Sequence, residues 1–170
     1  MKLPEPRWAA RLPSSVVVGA ATLGPIGRRL PAPGTWGSAA GVFYALLFFR
    51  AVPWPTTLVV TLALSWVGVA LCGEAEKRLG QSDPGCVILD EFLVMPLVFL
   101  GARWAFAGVW PEWLVLLAGF GLFRLFDIWK PLWIGRVQRW PGGWGVMADD
   151  VLAALAACGG LHLLAFWAAR

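Results

Sequence analysis

From Trp54 to Gly73 the chain runs for twenty residues, WPTTLVVTLALSWVGVALCG, without a charge. Crossing a bilayer core as a helix takes about 20 mostly apolar residues, so this stretch commits the chain to a membrane or to an unusually apolar interior. Composition favours the membrane. The 170 residues are 59% hydrophobic with mean hydropathy +0.69, above the ~45–50% apolar usage of soluble domains. Twelve tryptophans stand against one tyrosine, and tryptophan collects at membrane–water interfaces, where its ring is buried and its N–H stays hydrated.

Four further stretches carry a similar signal: Trp36–Val52, Cys86–Trp110, Glu112–Trp129 and Trp144–Ala169. No strand alternation and no internal repeat competes with helices. The expectation is one all-α domain over 1–170, an integral-membrane helical bundle of about four to five apolar helices, with a flexible basic segment at 1–13. Behind Lys2, Arg7 and Arg11 the stretch VVVGAATLGPIG is short and broken by glycine and proline, so no cleaved signal peptide is read there. Cys72, Cys86 and Cys158 stand singly, which supports neither a disulfide framework nor a zinc site.

Threading the spans alternately, with the N-terminus inside, sorts the basic residues. Lys2, Arg7, Arg11, Arg28, Arg29, Lys77, Arg78, Arg124, Lys130, Arg136 and Arg139 fall inside, whereas only Arg50, Arg103 and Arg170 fall outside. Eleven against three is the asymmetry of a cytoplasm-facing basic side. Orientation thus accounts for the net charge of +4, and no nucleic-acid partner is inferred.

The same threading carries embedded acids to one face. Asp90 and Glu91 lie in VILDEFLVM, Asp127 in FRLFDIWKP, and Asp149 and Asp150 in GVMADDVLAAL. These are half of the ten acids, and Asp83 in QSDPGC joins them at the same level. A charge in a lipid-facing helix costs roughly 2.5–3.5 kcal/mol on insertion scales unless it meets a cavity, a metal or a partner charge.

Arg124, Asp127 and Lys130 are spaced i, i+3, i+6, so they share about 120° of a helix face just before Pro131. That pattern serves either an ion pair at a helix end or a metal-binding carboxylate beside two cations. In LDEF and ADD the paired acids diverge by about 100°, so only one member of each pair can point fully into a narrow site. Carboxylates forced together raise one another's pKa unless a cation intervenes, and five or six on one face fit a hard divalent ion with oxygen ligands.

Residues 24–38, GPIGRRLPAPGTWGS, lead from Arg28 and Arg29 through Thr35 and Ser38 into an apolar helix. A helix start with such residues suits an anion, and arginine offers phosphate a planar fork of donors. The stretch also reads as an ordinary polar connector, and it lacks the GK[ST] of a Walker loop. A second glycine turn, WPGGWGVM at 140–147, precedes Asp149. The single histidine, His162, lies far from these motifs and has no partner in sequence, so a histidine-dependent triad is not supported. The chemistry on offer is metal-assisted attack of water on a phosphoryl or similar electrophile. Against it stand a cation or proton pathway, which would spread acids through membrane depth, and a structural subunit whose charges pair with a partner.

PAPGTWGS (31–38), DPGCVILDEF (83–92), FRLFDIWKP (123–131) and PGGWGVMADDVLAAL (141–155) together resemble the bacterial phosphatidylglycerophosphatase A family. The resemblance implies Mg²⁺-dependent removal of the terminal phosphate of phosphatidylglycerol phosphate at the cytoplasmic face of the bacterial inner membrane. It implies an acidic site of Asp90, Glu91, Asp127, Asp149 and Asp150, supported by Asp83, Arg124 and Lys130. The phosphomonoester is expected among Arg28, Arg29, Thr35, Ser38, Arg124 and Lys130, with the acyl chains against the helices. Another phosphomonoester lipid is the nearest alternative substrate. The chain departs from the family pattern at Leu132 and Trp133, where KPWP is frequent, and at Val94 and Met95, where glycine is common.

Overall fold

The computed structural model describes residues 6–131 and 134–170, and every described element is helical. Lys2 with the start of the 1–13 segment, and Leu132 and Trp133, lie outside the described residues. A 3₁₀ turn at Arg7–Arg11 leads into α1 (Ser14–Ala21), α2 (Pro25–Arg29), α3 (Pro33–Phe49) and α4 (Trp54–Leu79). Then come α5 (Leu89–Val98), α6 (Ala102–Ala105), α7 (Glu112–Trp129), α8 (Ile134–Val137) and α9 (Gly143–Ala168).

Proline and glycine set the boundaries. Pro33, Pro55 and Pro111 stand at or beside helix starts, where a missing N–H costs nothing. Gly80 ends α4 in the left-handed conformation, φ 66°, which glycine adopts without a Cβ clash. Lys130 closes α7 in the same region, φ 41°, immediately before Pro131. From Arg7 onward the basic N-terminal segment packs on α4 instead of running free: Arg78 donates to the carbonyls of Ala9, Ala10 and Leu12, and Ala9 is fully buried.

The bundle is assembled around α5, which packs against α3, α4 and α9. Gly34, Gly37 and Gly41 form a small-residue stripe on α3 that meets Glu91, Ile88 and Met95. A Cβ at Gly41 would collide with the Met95 side chain, so the close approach of α3 to α5 depends on this glycine. Gly143 does the same for α9, its α-carbon lying against the Val69 carbonyl of α4.

Only α4 and α9, each of 26 residues, are long and apolar enough among the described residues to cross a membrane. The expected four to five apolar spans are therefore not realised as such. The expected span at 86–110 is broken: α5 is ten residues, about 15 Å, and carries Pro96 inside it, while Gly101 turns the chain at φ 71°. The stretch at 36–52 is α3, seventeen residues long, and α7 keeps Glu112, Arg124 and Asp127 within its eighteen. Phe43, Leu47, Val59, Leu117 and Leu163 are all more than half exposed, an apolar exterior that fits a lipid environment better than water.

Candidate active site

Three helix ends meet at one level. The first turn of α5 brings Asp90 and Glu91, the last two turns of α7 bring Arg124 and Asp127 and its C-cap brings Lys130, and the second turn of α9 brings Asp149 and Asp150. The start of α3 covers them, because Gly34 lies so close to Glu91 Oε1 that a Cβ there would overlap it. Asp90, Asp127, Asp149 and Asp150 are 6%, 8%, 2% and 3% exposed. Carboxylates are almost never buried this deeply without partners.

A chain of charged contacts runs through the site. Arg124 Nη1 donates to Asp127 Oδ2 at 2.7 Å and to Ser38 Oγ at 3.3 Å, and lies 3.5 Å from Glu91 Oε1. Lys130 Nζ donates to Asp149 Oδ2 at 2.5 Å and lies 3.6 Å from Asp127 Oδ1. Ser38 in turn donates to the Gly34 carbonyl at 2.7 Å. The left-handed turn at Lys130 aims its ammonium across to α9, beyond its own helix.

Five carboxylates thus share two cations, and the shortfall is visible at single atoms. Asp90 Oδ1, Glu91 Oε2, Asp149 Oδ1 and Asp150 Oδ2 are buried without a hydrogen-bond partner among the described residues. Burial, and then the repulsion of Asp127, push the Glu91 carboxyl up to about 8 despite Arg124; α5, which carries it, is too short to span a membrane. Burial works to lower the Lys130 ammonium, but the Asp149 hydrogen bond and the neighbouring carboxylates raise it above its ordinary value. The donor set suits a hard divalent cation: carboxylate oxygens, excess negative charge and orphaned acceptors. As placed, however, no three such side chains among the described residues close around a single point.

The structure gathers Asp90, Glu91, Asp127, Asp149, Asp150, Arg124, Lys130 and Ser38. It does not gather all the expected phosphate ligands. Arg28 and Arg29, at the end of α2, and Thr35, on the outer side of α3, are exposed, and neither arginine pairs with an acid among the described residues. Asp83 is exposed on the loop after α4, where its Oδ2 accepts a 3.1 Å bond from Gln138 Nε2. The departures Val94 and Met95 are fully buried. Met95 packs into the α3 seam one helical turn beyond Glu91. His162 lies about 18 Å further along α9, its ring against Gly101 and its Nδ1 3.0 Å from the Cys158 carbonyl.

Two contributors went unread in the sequence. Gly34 makes room for Glu91, and the spacing of Gly34, Gly37 and Gly41 along one face was the available signal. Glu76, 9% exposed, holds the Asp83 loop; it continues the α4 face that buries Ser65, Val69 and Cys72, and that period could have marked it.

Comparisons with known proteins converge. The family model for phosphatidylglycerophosphatase A matches residues 19–165. The phosphatidylglycerophosphatase A of Haemophilus influenzae is 35% identical over 138 residues, 81% of this chain and 81% of its own length. That of Escherichia coli is 34% identical over 136 residues, 78% of this chain and 73% of its own length. A putative phosphatidylinositol-3-phosphatase of Bacteroides thetaiotaomicron is 36% identical over 133 residues, 73% of this chain and 77% of its own length. No solved structure matches.

Proposed function

The chain belongs to the phosphatidylglycerophosphatase A family, and from that premise we propose that it hydrolyses the terminal phosphomonoester of phosphatidylglycerol phosphate to phosphatidylglycerol and phosphate. It is a phosphoric monoester hydrolase, acting as a single domain. The observation that carries the reading is the buried meeting of five carboxylates, four with an orphaned oxygen, beside Arg124 and Lys130.

Arg124 and Lys130 have the charge and position to receive phosphoryl oxygens. Each now bonds an acid, so each can exchange a carboxylate for the substrate's oxygens without leaving the site. A subset of Asp90, Glu91, Asp127, Asp149 and Asp150 would hold Mg²⁺, with Asp83 at the rim. When bound, Mg²⁺ supplies Lewis-acid neutralisation of the phosphoryl charge. A carboxylate left free accepts the proton of the attacking water; the new P–O bond forms as the bond to the head-group glycerol oxygen breaks, and the acid cluster returns a proton to that oxygen as it leaves. Burial keeps other water out and strengthens each charge contact. Arg28 and Arg29, exposed beside the start of α3, serve as an approach surface for the anionic head group.

The excess of basic residues on the acid-bearing side supports a site at the cytoplasmic face of the inner membrane, with the acyl chains against the apolar flank of α4 and α9. The test is phosphate release by purified protein from phosphatidylglycerol phosphate vesicles. Release that needs added Mg²⁺ and stops with chelator is expected, and release undiminished by chelator overturns the metal assignment. The Bacteroides relative's name favours one second reading, a different phosphomonoester lipid; a phosphatidylinositol 3-phosphate preference in the same assay would establish it.

A further inference from the structure

The bundle is uneven in length, and the unevenness leaves a space. The central helix α5 has ten residues, about 15 Å, while α3 and α4 beside it have 17 and 26. Past Val98 the chain does not continue as a long helix: Gly101 and Gly108 turn it at φ 71° and 75°, and α6 lasts four residues. Beyond the end of α5, between the end of α3 and the starts of α4 and α7, lies a cavity of about 400 Å³. Phe49, Pro96, Phe99, Phe106 and Val115 give it apolar walls. Such walls offer water few hydrogen-bond partners and suit a hydrocarbon chain.

The polar residues on the lining are unevenly charged. Arg50, Arg103 and Glu112 make two cations against one acid. Arg50 pairs with Glu112 at 2.8 Å, whereas the exposed Arg103 has no acid within ion-pair reach among the described residues. One positive charge is left over. Trp54 at the start of α4, Trp104 on α6, Trp113 on α7 and Trp167 at the end of α9 are all more than half exposed at this end of the bundle. That is the belt tryptophan forms at head-group level. A molecule held here has its polar part beside Arg103 at that level and its apolar part in the cavity. A phospholipid with one net negative charge carries both parts in that order. A neutral lipid would leave Arg103 without a partner, and a soluble anion would leave the cavity unfilled.

We propose that this cavity is a second lipid site, at the opposite end of the bundle from the carboxylate cluster. It takes one acyl chain of an anionic phospholipid whose phosphate meets Arg103. The lipid comes from the leaflet away from the acids, which is the outer leaflet in the orientation given above. It is bound there without being hydrolysed, because Glu112, the one carboxylate lining the cavity among the described residues, is already paired with Arg50. The site needs the bilayer setting but not the phosphatase reading.

The test is native mass spectrometry of the full chain in detergent and chelator, titrated with dioleoylphosphatidylglycerol or dioleoylphosphatidylcholine. It reads the lipid retained per chain and its apparent Kd. The parent should retain one lipid and bind the anionic one about fivefold tighter, the scale of one arginine at a membrane surface. Arg103→Gln should bring the two lipids level. Ala107→Trp puts a ring into the cavity and should weaken both lipids about tenfold, the loss of about two buried methylenes. Both positions are exposed, and a parental Tm checks that the fold survives. Arg28→Gln combined with Arg29→Gln, toward the other end, is the control and should leave both affinities at parental values. Equal affinities in the parent, a preference that survives Arg103→Gln, or one lost in the Arg28 and Arg29 control would each overturn the proposal. So would an Ala107→Trp chain that binds as the parent does, or a parent that stays lipid-free, whether or not it pairs with a second copy.

Discussion

Where α3 runs into α4, charge is handled cheaply: Arg50 and Glu112 pair at 2.8 Å with 60% and 49% of their side chains exposed, beside an apolar cavity of about 400 Å³ lined by Phe49, Trp54, Phe99 and Phe106. At the opposite end, where α5, α7 and α9 begin or finish, Asp149 and Asp150 are 2% and 3% exposed and acceptors stand without donors. An exposed pair costs little and contributes little. A buried excess of carboxylates costs much and is stabilised only by what it is built to hold. The contrast locates function at the second end, and single changes at each end should differ accordingly.

The largest effect belongs to the buried acids. Asp127→Ala or Asp150→Ala should lower phosphate release by about 10²- to 10³-fold, the scale of losing one preorganised charge contact. Full activity in either, with the fold intact by circular dichroism, would break the contrast. Arg124→Lys should cost about tenfold in kcat/KM, because an ammonium cannot reach Asp127, Ser38 and Glu91 together as the guanidinium does. Gly34→Ala sharpens the comparison further. Its methyl must displace Glu91, so activity should fall by about fivefold to tenfold while a Gly19→Ala control, with open space around it, stays near the parent.

Titration tests the excess charge itself. Glu91 folds with its carboxyl near 8 against an ordinary 4.5. A raised acid contributes stability that is present below about 4.5 and is lost as pH rises through about 8. In chelator, Tm should therefore fall from pH 5 to pH 8, and saturating Mg²⁺ should flatten the slope by favouring the ionised form. A Tm that rises with pH in chelator would contradict this. The smallest effect is expected at the other end, where Arg50→Ala or Glu112→Ala should change stability by about 0.5 kcal/mol and leave kcat/KM nearly unaltered.

Much of this was legible in the sequence, though unevenly. Arg124, Asp127 and Lys130 could be placed on one face by spacing alone, and the structure keeps them there. Arg28 and Arg29 were grouped with them by residue type, and the short α2 leaves both exposed, so type alone did not predict their exposure. The expected span at 86–110 misled differently: hydropathy does not register Pro96 and Gly101 as a break. What remains of it, α5, became the buried centre of the bundle because α3 and α4 could approach it through glycine, at Gly37 and Gly41 and at Gly68.

Helical class, the apolar exterior and the identity of the embedded acids were determined by the sequence alone, because periodicity, hydropathy and proline–glycine punctuation act within a few residues. Only the tertiary structure decided that Lys130 reaches across to Asp149, that Arg124 meets Ser38 on α3, and that Glu76 holds Asp83. Those contacts depend on which helix faces can come close, and that is set by the absence of a side chain at Gly34, Gly41 and Gly143 acting between helices far apart in the chain.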